Sequence, residues 1–114
     1  MDVYKRLEEL DIKLLDPTPK GGIYSTVQPY GGHLLYVSGT APHNKVDENM
    51  CGKLGSEYTI EEGQEASRRC MLNILSNLHH ELGDLNRIKK FVKILGFVAS
   101  APDFYEHPQV INGA

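Results

Sequence analysis

Several residue types and patterns that mark particular protein classes are scarce in this sequence. It has no tryptophan and two cysteines, Cys51 and Cys70. Because these cysteines lack a CxxC spacing, neither a zinc site nor a redox motif is predicted. No apolar run approaches the ~20 residues that span a bilayer, so we expect no membrane partner. The charged, amphipathic amino terminus is unlike a secretory signal, which favours a reducing cytoplasm.

An excess of positive charge is also missing. The formal net charge is −3, so no global positive field attracts phosphate backbones, and we expect nucleic acid not to be the partner. A local basic run from Arg87 to Lys93 is interleaved with apolar residues. We interpret this run as a strand with a solvated lysine edge rather than as a nucleic-acid groove.

The composition that remains is typical of one folded domain. Of the 114 residues, 40% are hydrophobic and 24% are charged, which is too apolar for a disordered chain. A chain of this length has room for one hydrophobic core. We therefore predict a single domain over residues 1–114.

Spacing and capping patterns predict two helices in the first 83 residues. Val3, Leu7 and Leu10 recur at helical spacing, and this short amphipathic helix should end near residue 11. The motif Thr59-Ile60-Glu61-Glu62 is a capping box that starts the main helix. The apolar stripe of the main helix, which should pack on a sheet and end at Gly83, comprises Ala66, Cys70, Met71, Ile74, Leu75, Leu78 and Leu82.

Three extended runs predict strands. Residues 23–27 and 33–39 should pair antiparallel around a loop at 29–32. The second of these is apolar on both faces and should be central in the sheet. Residues 88–99 are rich in Val, Ile and Phe and should form another strand under the main helix. The loop-rich stretch at 41–56 has a length that is often functional.

The end of the chain predicts a further helix. Asp103 opens a helical pattern with Phe104, Val110 and Ile111, and the chain end at Ala114 cuts this pattern off. Three strands and two helices form only half of a sealed two-layer sandwich. We expect either that strands are missing from this chain or that neighbouring chains supply the cover.

The order of these motifs resembles the RidA/YjgF family. The strand Leu34-Leu35-Tyr36-Val37-Ser38-Gly39, the start Thr59-Ile60-Glu61-Glu62-Gly63-Gln64, the link Gly83-Asp84-Leu85 and the close Val110-Ile111-Asn112-Gly113-Ala114 carry the likeness. It covers roughly residues 21–114. It looks most like the branch often labelled endoribonuclease L-PSP or YjgF-like.

The resemblance implies a fold, an assembly and a chemistry. The fold is a chorismate-mutase-like α/β (α+β) two-layer sandwich, with a mixed sheet and helices on one face. The assembly is a homotrimer with ligand clefts between subunits. The chemistry is hydrolysis of enamine or imine carboxylates to 2-keto acids and ammonia, without metal or cofactor.

The resemblance also implies candidate substrate-binding residues. Ser38 and Gly39 match the strand-end pair that lines the cleft, and Thr40 stands where many relatives have Gln or His. Tyr24 matches the first-strand tyrosine with a one-residue shift, and Asn112 matches a helix asparagine after an insertion. Tyr24 could equally be a half-buried strand aromatic, and Asn112 an ordinary exposed amide.

The family's carboxylate-binding arginine and a later glutamate have no counterpart in this sequence. Both follow the second helix in the family, where this chain has ended, and no catalytic residue is therefore assigned. The chain thus looks like a family member whose carboxy-terminal strands are missing. The arginines that are present, none at a matching position, are Arg6, Arg68, Arg69 and Arg87.

Other chemistries receive less support. His79 and His80 are adjacent, so on a helix they should point in different directions, and we expect both to be solvated. Asp103 and His107 could share a helical face, but two ligands without a third make a poor metal site. No serine-hydrolase elbow, P-loop or dinucleotide fingerprint is present.

Three function classes remain open. The first is an enamine or imine deaminase, and the second is a trimer of the same fold that binds a small carboxylate without catalysis. The third is an endoribonuclease, a label that the family carries. The net charge of −3 counts against the third, and the unmatched arginine counts against the first.

Overall fold

The computed structural model describes residues 1–17, 19–42 and 51–114. The chain divides into two compact units. Unit 1 comprises Met1–Thr40 and Leu72–Phe91, and unit 2 comprises Ala41–Met71 and Val92–Ala114. The prediction of a single domain stays a prediction. The described elements, in chain order, are α1 (Val3–Glu9), β1 (Val27–Tyr30), β2 (Leu34–Val37), α2 (Ile60–Leu82), a 3-10 helix (Leu85–Arg87) and α3 (His107–Ile111).

Helix α1 forms as predicted, and both of its ends are capped. The Asp2 carboxylate accepts the Tyr4 amide at 3.0 Å, which satisfies one of the unpaired donors of the first turn. At the other end Asp11 has φ of 53°, and the Ile12 amide donates to the Leu7 carbonyl at 2.9 Å. This geometry ends the helix in a Schellman motif, with Asp11 at the position that glycine usually takes.

The amino terminus of α1 is bound to the 3-10 helix by a polar network. The Val3 amide donates to Asn86 Oδ1 at 2.8 Å, and Asn86 Nδ2 donates to the Asp2 carboxylate at 3.2 Å. That hydrogen bond from Asn86 is the main reason that the pKa of Asp2 is lowered. The Asp84 carboxylate in turn accepts a hydrogen bond from the backbone amide of Asn86 at 2.9 Å. Asn86 thus fixes α1 through both atoms of its side-chain amide.

The hairpin forms, with strands that differ from the predicted bounds. β1 and β2 pair antiparallel with Val27 opposite Val37 and Tyr30 opposite Leu34. Gly31 and Gly32 have φ of 64° and 81°, which only glycine adopts at low cost and which makes the reversal tight. The first strand therefore extends to residue 30 instead of ending at 27. The second is shorter than the predicted 33–39.

The prediction that β2 is central in the sheet is wrong for the described chain. Within the described ranges, β2 pairs with β1 alone in a two-stranded sheet. Leu34, Leu35 and Tyr36 are all exposed. A strand that is apolar on both faces is usually covered by neighbours on both sides. In a single chain, both faces of β2 are open to solvent.

Helix α2 begins and ends as the sequence predicts. The Thr59 amide donates to the Glu62 carboxylate at 3.1 Å, and the Glu62 amide donates to Thr59 Oγ1 at 3.3 Å, which completes the capping box. Gly83 follows the last turn with φ of 76°, and its amide donates to the His79 carbonyl at 2.9 Å. The predicted bounds of the main helix are confirmed.

The buried face of α2 is less apolar than the predicted stripe. Leu78 is 2% exposed and forms the core of unit 1 with Leu85 and Val27, while Ile74 and Leu82 are partly buried against it. Asn73, Ser76 and Asn77 are also buried. Ser76 Oγ donates to the Leu72 carbonyl at 2.9 Å. Among the described side chains, no buried nitrogen or oxygen lacks a hydrogen-bond partner.

Unit 2 has a small core where α3 meets the first turns of α2. Leu54 and Val110 are buried, and a Cβ atom at Gly63 would lie 2.7 Å from Leu54 Cδ1 and 3.1 Å from Val110 Cγ1. Gln64 Nε2 donates to the Gln109 carbonyl at 2.9 Å. Gly113 lies so close to the backbone of Gln64 that a Cβ atom has no room. This contact fixes the end of α3.

Two predictions for the last third of the chain are wrong. No strand is assigned over residues 88–99. Val92 and Phe97 are 74% and 90% exposed, and the pairing with Leu54 reaches this segment at its end alone, through the Ala99 carbonyl. The last helix starts at His107 instead of Asp103. The Phe104 amide donates to the Ala101 carbonyl in a turn, and Pro108 suits the first turn of a helix.

Helices, a small antiparallel sheet and bridging segments together make this an α/β structure, as predicted. Across the described parts of the chain, no helix combines the length and the apolar character needed to cross a membrane.

The core of unit 1 makes a first prediction. Replacing Leu78 with Ala should lower the free energy of unfolding by about 2–5 kcal/mol, because a buried leucine is replaced by a cavity. Leu15→Ala is the matched control, since Leu15 is exposed and its loss should cost about 0.5 kcal/mol or less. Urea unfolding measures both. Equal losses for the two variants would show that Leu78 is not a core residue.

Candidate functional site

The end of β2 is held against the segment that precedes β1. The Ser38 amide donates to the Thr26 carbonyl at 3.0 Å, and Ser38 Oγ donates to the same oxygen at 3.3 Å. Thr26 Oγ1 lies 3.5 Å from a carboxylate oxygen of Glu81 on α2. Ser38 is therefore fixed in position, and its hydroxyl oxygen can still accept a hydrogen bond.

Gly39 follows Ser38, and its backbone is accessible to solvent. It is exposed, and a Cβ atom built on it would meet nothing within 4 Å. Within the described part of the chain, its amide donates to no acceptor. Thr40 Oγ1 donates back to the Ser38 carbonyl at 3.3 Å. The segment thus presents one backbone donor, which suits an anionic oxygen, beside a hydroxyl oxygen that can accept a hydrogen bond.

Tyr24 lies in a turn before β1 and not in a strand. Its hydroxyl accepts the Gly21 amide at 3.1 Å, and its ring lies beside Gly22. The interpretation as a half-buried strand aromatic is therefore wrong, because the glycines bend the chain here. Tyr24 shares unit 1 with Ser38 and Gly39, and its part in a cleft stays a prediction.

Asn112 belongs to unit 2. It is the C-cap residue of α3, and its amide donates to the Pro108 carbonyl at 3.0 Å. Its side chain is exposed. The backbone of Asn112 therefore ends α3. A role for its side chain in ligand binding stays a prediction.

The expectation that His79 is solvated is wrong. His79 Nδ1 lies 2.8 Å from the Tyr4 hydroxyl, and the two rings meet edge to face with centroids 5.5 Å apart. The same hydroxyl accepts the Leu85 amide at 2.8 Å, so its own proton is available for Nδ1. Tyr4 and His79 are 75 residues apart in sequence, and no local pattern could have predicted the pair. His80 is exposed, as expected.

Asp103 and His107 do not share a helical face, because Asp103 lies outside α3. His107 instead pairs with a residue that the sequence analysis did not consider. Ser100 Oγ lies 2.9 Å from His107 Nε2, and the contact is partly buried. The Phe104 ring meets the imidazole edge to face at 5.1 Å. The hydroxyl and the imidazole are seven residues apart, and no known motif marks that spacing.

The two cysteines differ in environment. Cys51 is exposed, whereas Cys70 is half-buried on α2. Burial raises the pKa of the Cys70 thiol, so this thiol stays protonated at neutral pH and is a poor nucleophile. In the ranges that the structure describes, no three His, Cys, Asp or Glu side chains come together to hold a metal ion.

Three of the four arginines have partners close by in sequence. Arg6 pairs with Glu9 at 3.1 Å and Arg69 with Glu65 at 3.3 Å, both on the surface of a helix. Arg87 donates to the Leu82 carbonyl at 3.0 Å. These three guanidinium groups bind to helix surfaces and helix ends. The fourth arginine, Arg68, is an exposed residue of α2.

Comparison with known sequences gives matches over most of the chain. A family model described as "YjgF/chorismate_mutase-like, putative endoribonuclease" matches residues 12–114. The protein TCP17 of Trypanosoma cruzi is 47% identical over 83 residues, which are 73% of this chain and 52% of TCP17. This chain therefore spans about half the length of that curated relative.

Solved structures match over nearly the whole chain. A crystal structure from Shewanella oneidensis MR-1, described as a "putative endoribonuclease", has a TM-score of 0.89 at 29% identity and covers 99% of this chain and 74% of its own. Atu1372 from Agrobacterium tumefaciens, described as having unknown function, has a TM-score of 0.78 at 37% identity. That match covers 96% of this chain and 65% of Atu1372.

Proposed function

Since this chain belongs to the YjgF/chorismate-mutase-like family, we propose that it binds a small enamine or imine carboxylate at the end of β2. Family membership confirms the resemblance drawn from the sequence, and the solved relatives confirm the chorismate-mutase-like α/β fold. The ligand, its chemistry and the assembly are the proposal.

The observation that carries the proposal is the open backbone at Gly39 beside the fixed hydroxyl of Ser38. A carboxylate needs donors that point at it without competing partners, and a backbone amide is among the stronger of them. The Thr26 carbonyl occupies the proton of Ser38 Oγ at 3.3 Å. The hydroxyl oxygen can then accept from the protonated nitrogen of an iminium, while Gly39 donates to the carboxylate.

Binding without hydrolysis is what the side chains of this chain support best. Hydrolysis of an enamine or imine to a 2-keto acid and ammonia needs the substrate held firmly, and a bidentate arginine is the usual way to hold a carboxylate. Arg6, Arg69 and Arg87 already have partners close by in sequence. Deaminase activity is therefore the second candidate, and an assay distinguishes it from binding.

Self-association is part of the proposal, because one chain leaves much apolar surface in water. In unit 1 the hairpin exposes Tyr30, Leu34 and Tyr36, and in unit 2 Val92 and Phe97 are exposed. Large exposed apolar patches mark interaction surfaces. A homotrimer would bury such residues, and a cleft that includes the end of β2 would then be completed by a neighbouring copy.

An endoribonuclease is the remaining candidate, favoured by the description of the Shewanella oneidensis relative. The net charge of −3 opposes RNA binding, since phosphate contacts need positive charge. Incubating a labelled RNA with nuclease-free protein decides the matter, and a cleavage rate that increases with protein purity would favour this candidate over carboxylate binding.

Two substitutions at Gly39 test the binding site. Gly39→Pro removes the amide proton, whereas Gly39→Ala keeps it and adds a methyl group where nothing lies within 4 Å. A lost hydrogen bond to a charged group costs about 1.5–3 kcal/mol, so Gly39→Pro should weaken 2-ketobutyrate binding roughly 10- to 100-fold. Gly39→Ala should bind as the unaltered chain does. Isothermal titration calorimetry measures both, and equal affinity in both variants would place the ligand elsewhere.

The activity of the chain is a separate prediction. We expect it to hydrolyse 2-aminoacrylate, generated in place by a dehydratase, no faster than the background reaction. The reason is that we assign no arginine to hold the substrate carboxylate. A substrate that is misplaced by ~1 Å can react about a hundredfold more slowly. Pyruvate formation is the measurement, on protein shown to be folded by near-UV circular dichroism. Turnover above background would favour the deaminase, and Tyr24 and Asn112 would be the first residues to replace.

Light scattering on a size-exclusion peak tests the assembly. We expect three times the mass of one chain. Leu34→Glu places a charge on the exposed face of β2 and should shift the peak toward the monomer, because an unpaired charge is costly to bury. Leu10→Glu is the control, since Leu10 is also half-exposed but lies at the end of α1. A monomer at micromolar concentration without any substitution would contradict a cleft shared between copies.

A further inference from the structure

The pair formed by Ser100 and His107 in unit 2 is not used by the carboxylate site. The backbone on both sides of Ser100 is fixed, because the Leu54 amide donates to the Ala99 carbonyl and the Ala101 amide donates to the Leu54 carbonyl, each at 2.9 Å. His107 is the first residue of α3. Ser100 Oγ and His107 Nε2 are therefore held 2.9 Å apart by two separately fixed pieces of backbone.

This geometry is that of a hydroxyl beside its base. A serine hydroxyl is a weak nucleophile until a neighbouring group takes its proton, and the base must lie within about 2.6–3.2 Å to do so. In such pairs a further group orients the base. Here the edge-to-face contact with Phe104, whose plane stands at 80° to the imidazole, restricts the rotation of the ring.

The surroundings of the pair favour a small, uncharged electrophile. Ser100 and His107 are partly buried, so the hydroxyl is shielded from bulk water and yet not sealed. Their neighbours Leu54 and Phe104 are apolar, and a charged group beside them would lose hydration without a partner. An ester with a short apolar acyl group fits these conditions.

We propose that Ser100 is a nucleophile, activated by His107, that accepts a short acyl group from an activated ester. Oγ bonds to the acyl carbon while the hydroxyl proton passes to Nε2. The bond from the acyl carbon to the leaving oxygen breaks, and the proton on Nε2 goes to that oxygen. Water then attacks the acyl-serine with Nε2 as its base, which releases the carboxylic acid and restores Ser100.

A merely structural hydrogen bond that closes the turn between residues 100 and 107 is the alternative. Such a bond would stabilise the protein without making Ser100 more reactive than other serines. The two interpretations differ in the reactivity of one oxygen, and that reactivity can be measured directly on the whole chain.

A fluorophosphonate probe supplies the measurement. It reacts as Oγ bonds to phosphorus, the phosphorus–fluorine bond breaks and the hydroxyl proton passes to His107, with fluoride leaving. Peptide mapping by mass spectrometry should find the label on Ser100. The labelling rate should fall by about a hundredfold or more in His107→Gln, because general-base catalysis contributes roughly 10²–10⁴-fold.

Ser67→Ala is the matched control, since Ser67 also lies in unit 2 and bonds only to a backbone carbonyl, that of Ile111 at 3.5 Å. It should label as the unaltered chain does. A slower rate in D₂O for the unaltered chain is a second expected result, because a proton moves in the step, and it needs no variant to fold. A label absent from Ser100, or a rate that His107→Gln and D₂O leave unchanged, would overturn the proposal.

Discussion

The backbone of α2 is the element on which both units depend. Its first turns, up to Met71, belong to unit 2, and its last turns, from Leu72, belong to unit 1. A helix of 23 residues gains stability from every added turn once its ends are satisfied. The reciprocal bonds of Thr59 and Glu62 satisfy one end and Gly83 the other. Each end of α2 is thus capped within the unit to which it belongs.

The groups used in the proposed chemistry lie outside α2. Its carboxy-terminal turns are occupied, with Leu78 in the core and His79 bonded to Tyr4. The strand end at Ser38 and Gly39 is placed against the segment before β1 and remains open. The other pair of reactive groups, Ser100 and His107, lies in unit 2. These polar groups can still form hydrogen bonds, and they lie at the ends of segments, where a ligand can reach them.

Local signals in the sequence predicted the parts of this structure that depend on nearby residues. The capping box, the C-cap at Gly83 and the hairpin turn each involve residues within a few positions of one another, and all three are present. Family membership was also predicted, because the order of several short motifs is more specific than any one of them. The fold class followed from the same order.

What the sequence did not predict depends on distant residues or on surfaces that one chain leaves uncovered. Tyr4 meets His79 and Asn86 meets Val3 across 75 and 83 residues, which no spacing rule covers. The segment at 88–99 has the composition of a buried strand, yet Leu54 pairs with its end alone, so composition gave the wrong state. For α3, a turn at 101–104 and Pro108 moved the start by four residues. The cytoplasmic location remains a prediction.

The contact between Gly113 and Gln64 also limits how this sequence can drift. A side chain at position 113 would collide with the backbone of α2, and the backbone, unlike a side chain, has no alternative rotamer to adopt. A Cβ atom at Gly63, one residue earlier on α2, would instead meet side-chain atoms of Leu54 and Val110, which can shift. A substitution at position 113 therefore needs α2 and α3 to separate, whereas one at position 63 needs two side chains to repack. The spacing between α2 and α3 is thus set by a backbone contact rather than by the size of side chains.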